Sequence, residues 1–304
     1  LDFEVQILGS NSALAAHGRH PTAQLVRHGK QLFLVDCGEG TQVQLQKYKC
    51  KPFKINHIFI SHLHGDHYFG LIGLLTTYHL LQRKTPLVVY GPKSLEPIIR
   101  MQLEVANTQL NYELKFRTTQ DEVKELIYED EQLMVYSFPL RHRIPTTGFL
   151  FQEKKHLRKI DASKTDYLHL KAEDYDRLRK GMDIMDDAGN LLKNEALTLP
   201  GPRERSYAFC SDTIFFPELA ALIGKVNLLY HEGTFLHECA DRAAQTFHST
   251  SRQAAEMALL SGAEKLLIGH FSSKYIDLNP LLQEARSIFQ NSHLALEGKK
   301  IMIH

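Results

Sequence analysis

The chain is 304 residues long, with 36 Lys+Arg set against 35 Asp+Glu. That length is ample for a large core. The near-zero balance argues against indiscriminate electrostatic binding of nucleic acid, while leaving room for a local basic patch. The four cysteines, Cys37, Cys50, Cys210 and Cys239, form no C-x-x-C pair, no run is apolar for long enough to span a bilayer, and no signal peptide is expected. A disulfide framework and a membrane protein are thereby set aside, and a reducing, cytoplasmic setting is the expectation.

Phe3 to Leu8 alternates as F-E-V-Q-I-L and predicts a strand. A polar, Gly-containing loop follows to Pro21. Ala23 to Arg27 and Gln31 to Val35 predict two more strands, joined through His28-Gly29-Lys30 as a hairpin-like turn. The next word is D-C-G-E-G-T-Q, Asp36 to Gln42. It reads either as a helix N-terminus built around a tight turn or as a carboxylate placed at a sheet edge beside a site.

Ile55 to Gly73, I-N-H-I-F-I-S-H-L-H-G-D-H-Y-F-G-L-I-G, is the densest stretch of chemistry in the chain. His57 to Ile60 predicts a buried strand and Tyr68 to Lys84 a helix, which puts S-H-L-H-G-D-H on a strand-to-helix turn. If the chain is still extended at His62 and His64, their imidazoles share a face, because side chains two apart point the same way. Gly65 lets the backbone turn, and Asp66 and His67 then project elsewhere. One such turn can offer two ligands to one metal and two to a neighbour. Histidine is the commonest metal ligand, and a cluster of this kind reads as a site.

Leu87 to Tyr90 predicts a strand, and Ser94 to about Ala106 a helix with Ser94 as its cap. Strands are expected at Leu114 to Phe116, Glu122 to Tyr128 and Leu133 to Phe138. His142 sits just past the last of these, and Gly148 to Phe151 begins another. Residues 154 to 205 break the composition: they are rich in charge and poor in β-branched residues. They carry an amphipathic piece, Ala172 to Lys180, and turn signals at 188–190 and 200–202. Strands at Tyr207 to Cys210, Val226 to Tyr230 and Lys265 to Ile268 deliver Asp212, His231-Glu232-Gly233-Thr234 and His270. A helix capped by Ser249 or Thr250 runs to about Ser261, another spans about Asn279 to Phe289, and a strand at Lys300 to Ile303 comes last. His62, His142, Asp212, His231 and His270 thus each follow an apolar strand directly, so they are expected to converge on one rim of a sheet.

H-L-H-G-D-H matches the H-x-H-x-D-H signature of the metallo-β-lactamase superfamily. The surrounding words resemble the ribonuclease Z family, endonucleases that remove 3′ trailers from tRNA precursors. They are D-C-G-E-G-T-Q, the His142, Pro145 and Gly148-Phe149 run, H-E-G-T at 231–234, F-H-S-T at 247–250 and H-F-S-S-K-Y at 270–275. Gly233 stands where that family has Ala, and Lys274 where Arg is usual. The resemblance covers most of the chain and fails mainly in residues 154–205. There the family carries a protruding arm with a Gly-Pro-rich tip; here Lys171 to Gly181 reads K-A-E-D-Y-D-R-L-R-K-G, and P-G-P lies at 200–202.

The resemblance implies an α/β fold, the four-layer αββα metallo-β-lactamase sandwich, as a single domain over 1–304 with an inserted tRNA-binding arm at 154–205. It implies a metal site in which His62, His64 and His142 bind one ion, Asp66, His67 and His270 bind the other, and Asp212 bridges both. Asp36 then supports the site without binding metal. The ligand set has no Cys and suits two Zn2+ per chain, with Mn2+ or Fe2+ as alternatives, roughly 3.5–4 Å apart. A hydroxide held between the ions would attack the scissile phosphorus and leave a 3′-hydroxyl on the tRNA. Asp66 would orient it or take its proton, and His248, polarised by Glu232, would protonate the leaving oxygen. The implied partners are precursor tRNA and a second copy of the chain. Two rival readings are a small-substrate hydrolase on the same fold, such as a phosphodiesterase, and a non-catalytic RNA-binding protein. The arm speaks against the first and the full ligand set against the second.

Overall fold

The computed structural model describes residues 1–304. The chain opens with strands β1 (Phe3–Gly9), β2 (Ala23–His28), β3 (Gln31–Val35), β4 (Ile55–Phe59), β5 (Leu87–Gly91) and β6 (Leu114–Thr118). Helices α1 (Thr41–Lys47), α2 (Gly65–Leu80) and α3 (Leu95–Val105) are interleaved with them. Strands β7 (Glu125–Glu129), β8 (Leu133–Pro139) and β9 (Thr147–Glu153) follow. Short pieces come next: β10 (Lys159–Ile160), α4 (Ala162–Thr165), α5 (Ala172–Arg179), β11 (Ile184–Met185), β12 (Leu191–Leu192), α6 (Asn194–Leu197) and β13 (Thr198–Leu199). The last stretch holds β14 (Ser206–Cys210), α7 (Leu219–Ile223), β15 (Leu228–Glu232), α8 (Ala240–Gln245), α9 (Ser251–Ser261), β16 (Leu266–Gly269), α10 (Asn279–Ile288), β17 (Ser292–Leu294) and β18 (Lys300–Met302).

These elements form two compact units. Residues Leu1–Glu129, Leu133–Gln152 and Arg205–His304 make the larger one; Asp130–Gln132 and Glu153–Glu204 make the smaller. In the larger unit two seven-stranded sheets run in the orders β18-β1-β2-β3-β4-β5-β6 and β17-β16-β15-β14-β9-β8-β7. Strands β3 to β6 are parallel to one another, and so are β14 to β17. Strand β1 is antiparallel to β18 and to β2, β2 to β3, β9 to β14 and β7 to β8, so both sheets are mixed.

Alternation decides what each strand faces. Phe3, Val5 and Ile7 of β1, Phe33 and Val35 of β3 and Phe59 of β4 point between the sheets, against Phe149, Phe151, Tyr207, Phe209 and Tyr230 of the other sheet. Rings stack between neighbouring strands within each sheet, Phe59 on Tyr90 with centroids 4.6 Å apart and Phe209 on Tyr230 at 5.0 Å, and Phe59 meets Phe151 of the other sheet edge-on at 5.6 Å. Each fully buried ring of this size contributes roughly 1.5–3 kcal/mol. The opposite face of the first sheet takes Leu25, Leu34, Ile58 and Val89 against Leu45 of α1, Leu71 and Leu75 of α2 and Ile99 of α3. The opposite face of the second takes Leu229 and Ile268 against α7, α9 and α10. Helix, sheet, sheet, helix is therefore the layer order, the four-layer αββα sandwich implied by the resemblance.

Several bounds differ from those read off the sequence. Helix α2 begins at Gly65, because His64 is still extended (φ −74°, ψ 145°) and the chain coils directly after it. It ends at Leu80, where Gln82 takes a positive φ of 60°. The polar end expected to continue it turns inward instead: Arg83 is 1 % exposed. It donates to Thr85 O (2.8 Å), Asn56 Oδ1 (2.7 Å) and Pro86 O (3.0 Å) and lies 4.9 Å from the Tyr78 ring. Ser94 occupies the cap position of α3 but its side chain makes no capping bond. At α9 the cap is Thr250, whose hydroxyl accepts from Gln253 N at 3.2 Å; Ser249 donates elsewhere, to Thr213 O at 2.7 Å.

The smaller unit has its own modest core. Leu178, Ile184 and Leu197 are buried, with Ile160, Leu168, Leu170 and Leu192 packed on them. Two-residue strands pair as β10 with β13 and β11 with β12. The turn expected at 188–190 closes the second pair: Asp186 Oδ1 accepts from Ala188 N (2.9 Å) and Asn190 N (2.8 Å), with Gly189 at φ 82°.

Candidate metal centre

Parallel strands deliver the polar residues to one rim. Asp36 follows β3, the H-L-H-G-D-H turn follows β4, Asp212 follows β14 and His270 follows β16. Three of these residues, Asp36 (φ 56°), Asp212 (φ 62°) and His270 (φ 56°), have left-handed backbones. Such a backbone costs of order 1–3 kcal/mol for a residue with a side chain and persists where the surroundings over-determine it. It turns each side chain sharply off the end of its strand. Helix α2 is pressed onto the turn at 36–38: a Cβ on Gly70 would lie 2.0 Å from Gly38 O, so only glycine permits the approach. In return Cys37 N donates to His67 O at 2.7 Å, and Gly70 N to Cys37 O at 2.9 Å.

Seven side chains expected at the centre come together in two groups. His62, His64, His142 and Asp212 form one, Asp66, His67 and His270 the other, and the candidate ligand atoms within each lie within 4.8 Å of one another. Asp212 faces both. Its Oδ1 is 3.1 Å from His67 Nε2 and 3.1 Å from His270 Nε2. Its Oδ2 is 3.7 Å from His62 Nε2 and 3.7 Å from His142 Nε2.

A divalent cation suits this donor set, and the outward nitrogens show why. His62 Nδ1 lies 3.0 Å from Ser61 Oγ, His67 Nδ1 2.6 Å from Asp36 Oδ2, His142 Nδ1 2.8 Å from Phe247 O and His270 Nδ1 3.0 Å from Thr234 Oγ1. Outer partners of this kind fix ring orientation and tautomer in metal sites. The inward nitrogens then face one another: His62 Nε2 and His142 Nε2 lie 3.0 and 3.1 Å from His64 Nδ1, and His67 Nε2 lies 3.2 Å from His270 Nε2. Ring nitrogens converging in this way are what a cation satisfies. Burial, reinforced by neighbouring imidazoles, pushes His62 well below the ordinary histidine value, and burial with His142 beside it takes His64 down to about 4. Those rings are therefore neutral and competent to bind. His67 differs: burial lowers it, but the carboxylates of Asp212, Asp66 and Asp36 lift it well above the usual value.

Asp36 makes no contact with the group centres. It accepts from Ser61 N (2.8 Å) and Ser61 Oγ (2.9 Å) and holds His67. Asp66 is tied from a distance: Ala13 N donates to its Oδ2 at 2.7 Å. Burial would raise the Asp66 carboxyl, but His67 and His270 hold it far below the carboxylate range.

Glu232 and His248 form a second arrangement beside the first. Glu232 is fully buried and accepts from Thr213 N (2.7 Å), Ser249 N (3.0 Å) and Thr234 Oγ1 (2.5 Å). Its Oε1 lies 3.0 Å from His248 Nδ1, which is also 3.9 Å from Asp212 Oδ2. Burial alone pushes His248 down, but Glu232 and Asp212 carry it up to about 9. With Nδ1 engaged, Nε2 is the nitrogen left for a substrate.

His231 does not join the rim. Strand β15 runs on through Glu232, so successive side chains alternate and His231 takes the face opposite Glu232. It is buried, with Nδ1 2.8 Å from Glu232 O and Nε2 without a partner. A cavity of about 440 Å³ opens over the centre, and its walls include His64, Asp66, His248 and His270. Phe69 and Arg143, not singled out in the sequence, line it too. Phe69 is 60 % exposed, and its ring lies over Gly65, 2.3 Å from where a Cβ would stand. Arg143 is exposed and lowers His64.

The fold and this centre define a metal-dependent hydrolase of the metallo-β-lactamase fold. The metallo-β-lactamase fold protein YhfI from Bacillus subtilis shares the architecture, with a TM-score of 0.70 at 16 % identity over 99 % of this chain and 100 % of that one. The family model described as anti-Pycsar protein Apyc1 matches residues 3–174, so the chain belongs to the wider grouping which that model represents.

Full-length relatives settle the particular family. Ribonuclease Z of Cytophaga hutchinsonii is 46 % identical over 305 residues, covering 100 % of this chain and 97 % of that protein. Ribonuclease Z of Parabacteroides distasonis is 43 % identical over 302 residues, 99 % of each. The crystal structure of human tRNase Z, short form, aligns with a TM-score of 0.72 at 28 % identity, covering 99 % of both chains. The chain belongs to the ribonuclease Z family, a family of tRNA-processing endoribonucleases. That family implies a divalent metal, which the donor set accommodates.

Proposed function

We propose that this enzyme removes the 3′ trailer from tRNA precursors, using two Zn2+ ions. His62, His64 and His142 would hold one, Asp66, His67 and His270 the other, and Asp212 both. Imidazole and carboxylate donors suit zinc, with Mn2+ or Fe2+ as substitutes. Bound there, the ions would supply Lewis acidity to the phosphoryl oxygens and lower the pKa of water towards 7.

The protein's own groups do the rest. Asp66, fixed by the Ala13 amide at 2.7 Å, orients the attacking water, whose proton passes to solvent. As the new O–P bond forms, the bond from phosphorus to the ribose 3′ oxygen breaks. His248 hands its proton to that oxygen, leaving a 3′-hydroxyl on the tRNA and a 5′-phosphate on the trailer. Glu232 keeps His248 protonated and aimed. Arg143 is suited to a phosphate oxygen near the scissile bond, and the open face of Phe69 to a flanking base. Residues 153–204 would grip the tRNA body.

One observation carries this reading: an imidazole held by a buried carboxylate stands 3.9 Å from the carboxylate that joins both ligand groups. Attack and leaving-group protonation can therefore share one phosphodiester. The test is incubation of the purified protein with an end-labelled precursor tRNA, with and without chelator. A single cut that chelation abolishes and zinc restores is expected. Turnover of a nitrophenyl phosphodiester with the precursor left whole would instead favour the small-phosphodiester reading, to which a 440 Å³ cavity is also suited.

A further inference from the structure

A second concavity lies between the outer edges of the two sheets, in the larger unit. Strand β17 ends one sheet and β18 the other. Between them, with α10 alongside, is a cavity of about 350 Å³. Its apolar side is made by the half-buried Leu282, Leu294 and Leu296. Its polar side is made by Lys265, Arg286, His293, Lys299 and Lys300, and no carboxylate side chain lines it.

This concentration of one charge is unusual in a chain whose total is balanced. Lys300 shares Glu4 at 3.5 Å, and Arg286 Nε is held by Ser292 O at 3.0 Å, leaving the rest of that guanidinium fork. Lys265 and Lys299 have no ion-pair partner. Lys265, Arg286 and Lys299 line this one cavity together with His293, and burial together with those three cations lowers the His293 ring. Like charges held together around a concavity raise the local concentration of anions.

We propose that this pocket binds a nucleoside phosphate, with the base and ribose on the leucine side and the phosphates on Lys265, Arg286 and Lys299. Size and chemistry narrow the ligand. A volume at the small end of ligand pockets, roughly 300–1,000 Å³, admits one nucleotide and not a folded RNA. Several cations, of which only Lys300 has a carboxylate beside it, suit a multiply charged group better than a single carboxylate, and a guanidinium fork matches phosphate geometry. Inorganic phosphate would leave the leucines uncovered. The same chemistry is offered by a free nucleotide and by the 5′-phosphorylated end of an RNA. The site is separate from the metal centre and does not rest on the reaction proposed there.

The test is calorimetric titration of the metal-loaded enzyme with ADP, adenosine, pyrophosphate and a 5′-phosphorylated dinucleotide. ADP or the dinucleotide should bind at least tenfold more tightly than adenosine and than pyrophosphate. Lys299→Glu, on an exposed side chain, should weaken that binding at least tenfold, and Lys265→Glu with Lys299→Glu further. Hydrolysis of a nitrophenyl phosphodiester should be unchanged in both variants, which also reports that they are folded. Tighter ADP identifies a free nucleotide as the ligand, and a tighter dinucleotide an RNA terminus; either supports the site. Absent binding, binding indifferent to Lys299→Glu, or pyrophosphate binding as tightly as ADP would overturn it.

Discussion

The two units of this chain are held together on different scales. The larger has three apolar layers, one between its sheets and one under each set of helices. The smaller has three buried apolar residues, two-residue strands and helices of four to eight residues. Small cores leave little net stability once chain entropy is met. The difference teaches where each kind of work belongs. Chemistry that needs imidazoles held within tenths of an ångström sits on strand ends anchored in stacked rings. If the smaller unit grips the tRNA body as proposed, its softness would let it adapt to that large, charged substrate.

The largest effect is expected where the rigid unit is cut at its junction. Asp212→Ala removes the one carboxylate that faces both ligand groups. Metal analysis should show both positions depleted and cleavage of every phosphodiester at background, while the smaller unit stays folded. Full double occupancy in Asp212→Ala would disprove the bridging role. His248→Ala should come next. Metal content should be unchanged and precursor cleavage slower by roughly 10²–10⁴. A nitrophenyl phosphodiester, whose leaving group needs little protonation, should suffer much less. Equal slowing of both substrates would remove His248 as the proton donor.

The comparison also explains what could be read from the sequence. In the rigid unit, period-two alternation and the polar residues after each strand make most strands and the converging rim legible. The left-handed turns at Asp36, Asp212 and His270 were not, since they depend on what packs around them. Nor were Ser61, Thr234, the Phe247 carbonyl and the Ala13 amide, which hold the outer atoms of the site. Hydroxyls and main-chain groups carry no pattern, and Ala13 meets Asp66 across 53 positions. His231 shows how finely the pattern cuts: ending the strand at Tyr230 puts it on the rim, whereas continuing through Glu232 puts it on the opposite face. In the smaller unit, strands of two residues are too short for any period to register.

The softness of the smaller unit can be tested directly. Leu178 is fully buried and one of three such residues there, so Leu178→Ala should cost ~2–5 kcal/mol. A core of three can scarcely absorb that. Hydrogen exchange should show residues 153–204 losing protection while the sheets of the larger unit keep theirs. Metal content and small-diester turnover should survive, and precursor tRNA affinity should fall. If thermal unfolding and metal content collapse together, the two units are one cooperative body and the contrast between them fails.

The smallest effect concerns single charges in that unit, and the structure sorts them. Arg158 Nε donates to Thr198 Oγ1 at 2.7 Å, Lys180 pairs with Asp176 at 2.6 Å and Arg177 donates to Asp183 O at 3.3 Å. All three are engaged within the unit, Arg158 in a half-buried bond and Arg177 and Lys180 at the surface. Lys155, Lys159 and Arg179 are exposed and have no side-chain partner. Folded RNA is read mainly through its phosphates, 2′-hydroxyls and shape, because its deep groove is closed to side chains. Each phosphate contact adds roughly 0.7–0.9 to the slope of log affinity against log salt. Changing Lys155, Lys159 and Arg179 together to Ala should therefore flatten that slope for precursor tRNA by ~2–3 and weaken binding modestly at physiological salt. Protection from exchange in residues 153–204 should stay intact, since none of the three holds the fold. Arg158→Ala should do the reverse, loosening the unit while leaving the slope steep. A slope unmoved by the triple variant would mean that these cations only solvate the surface, and that the tRNA body is gripped elsewhere.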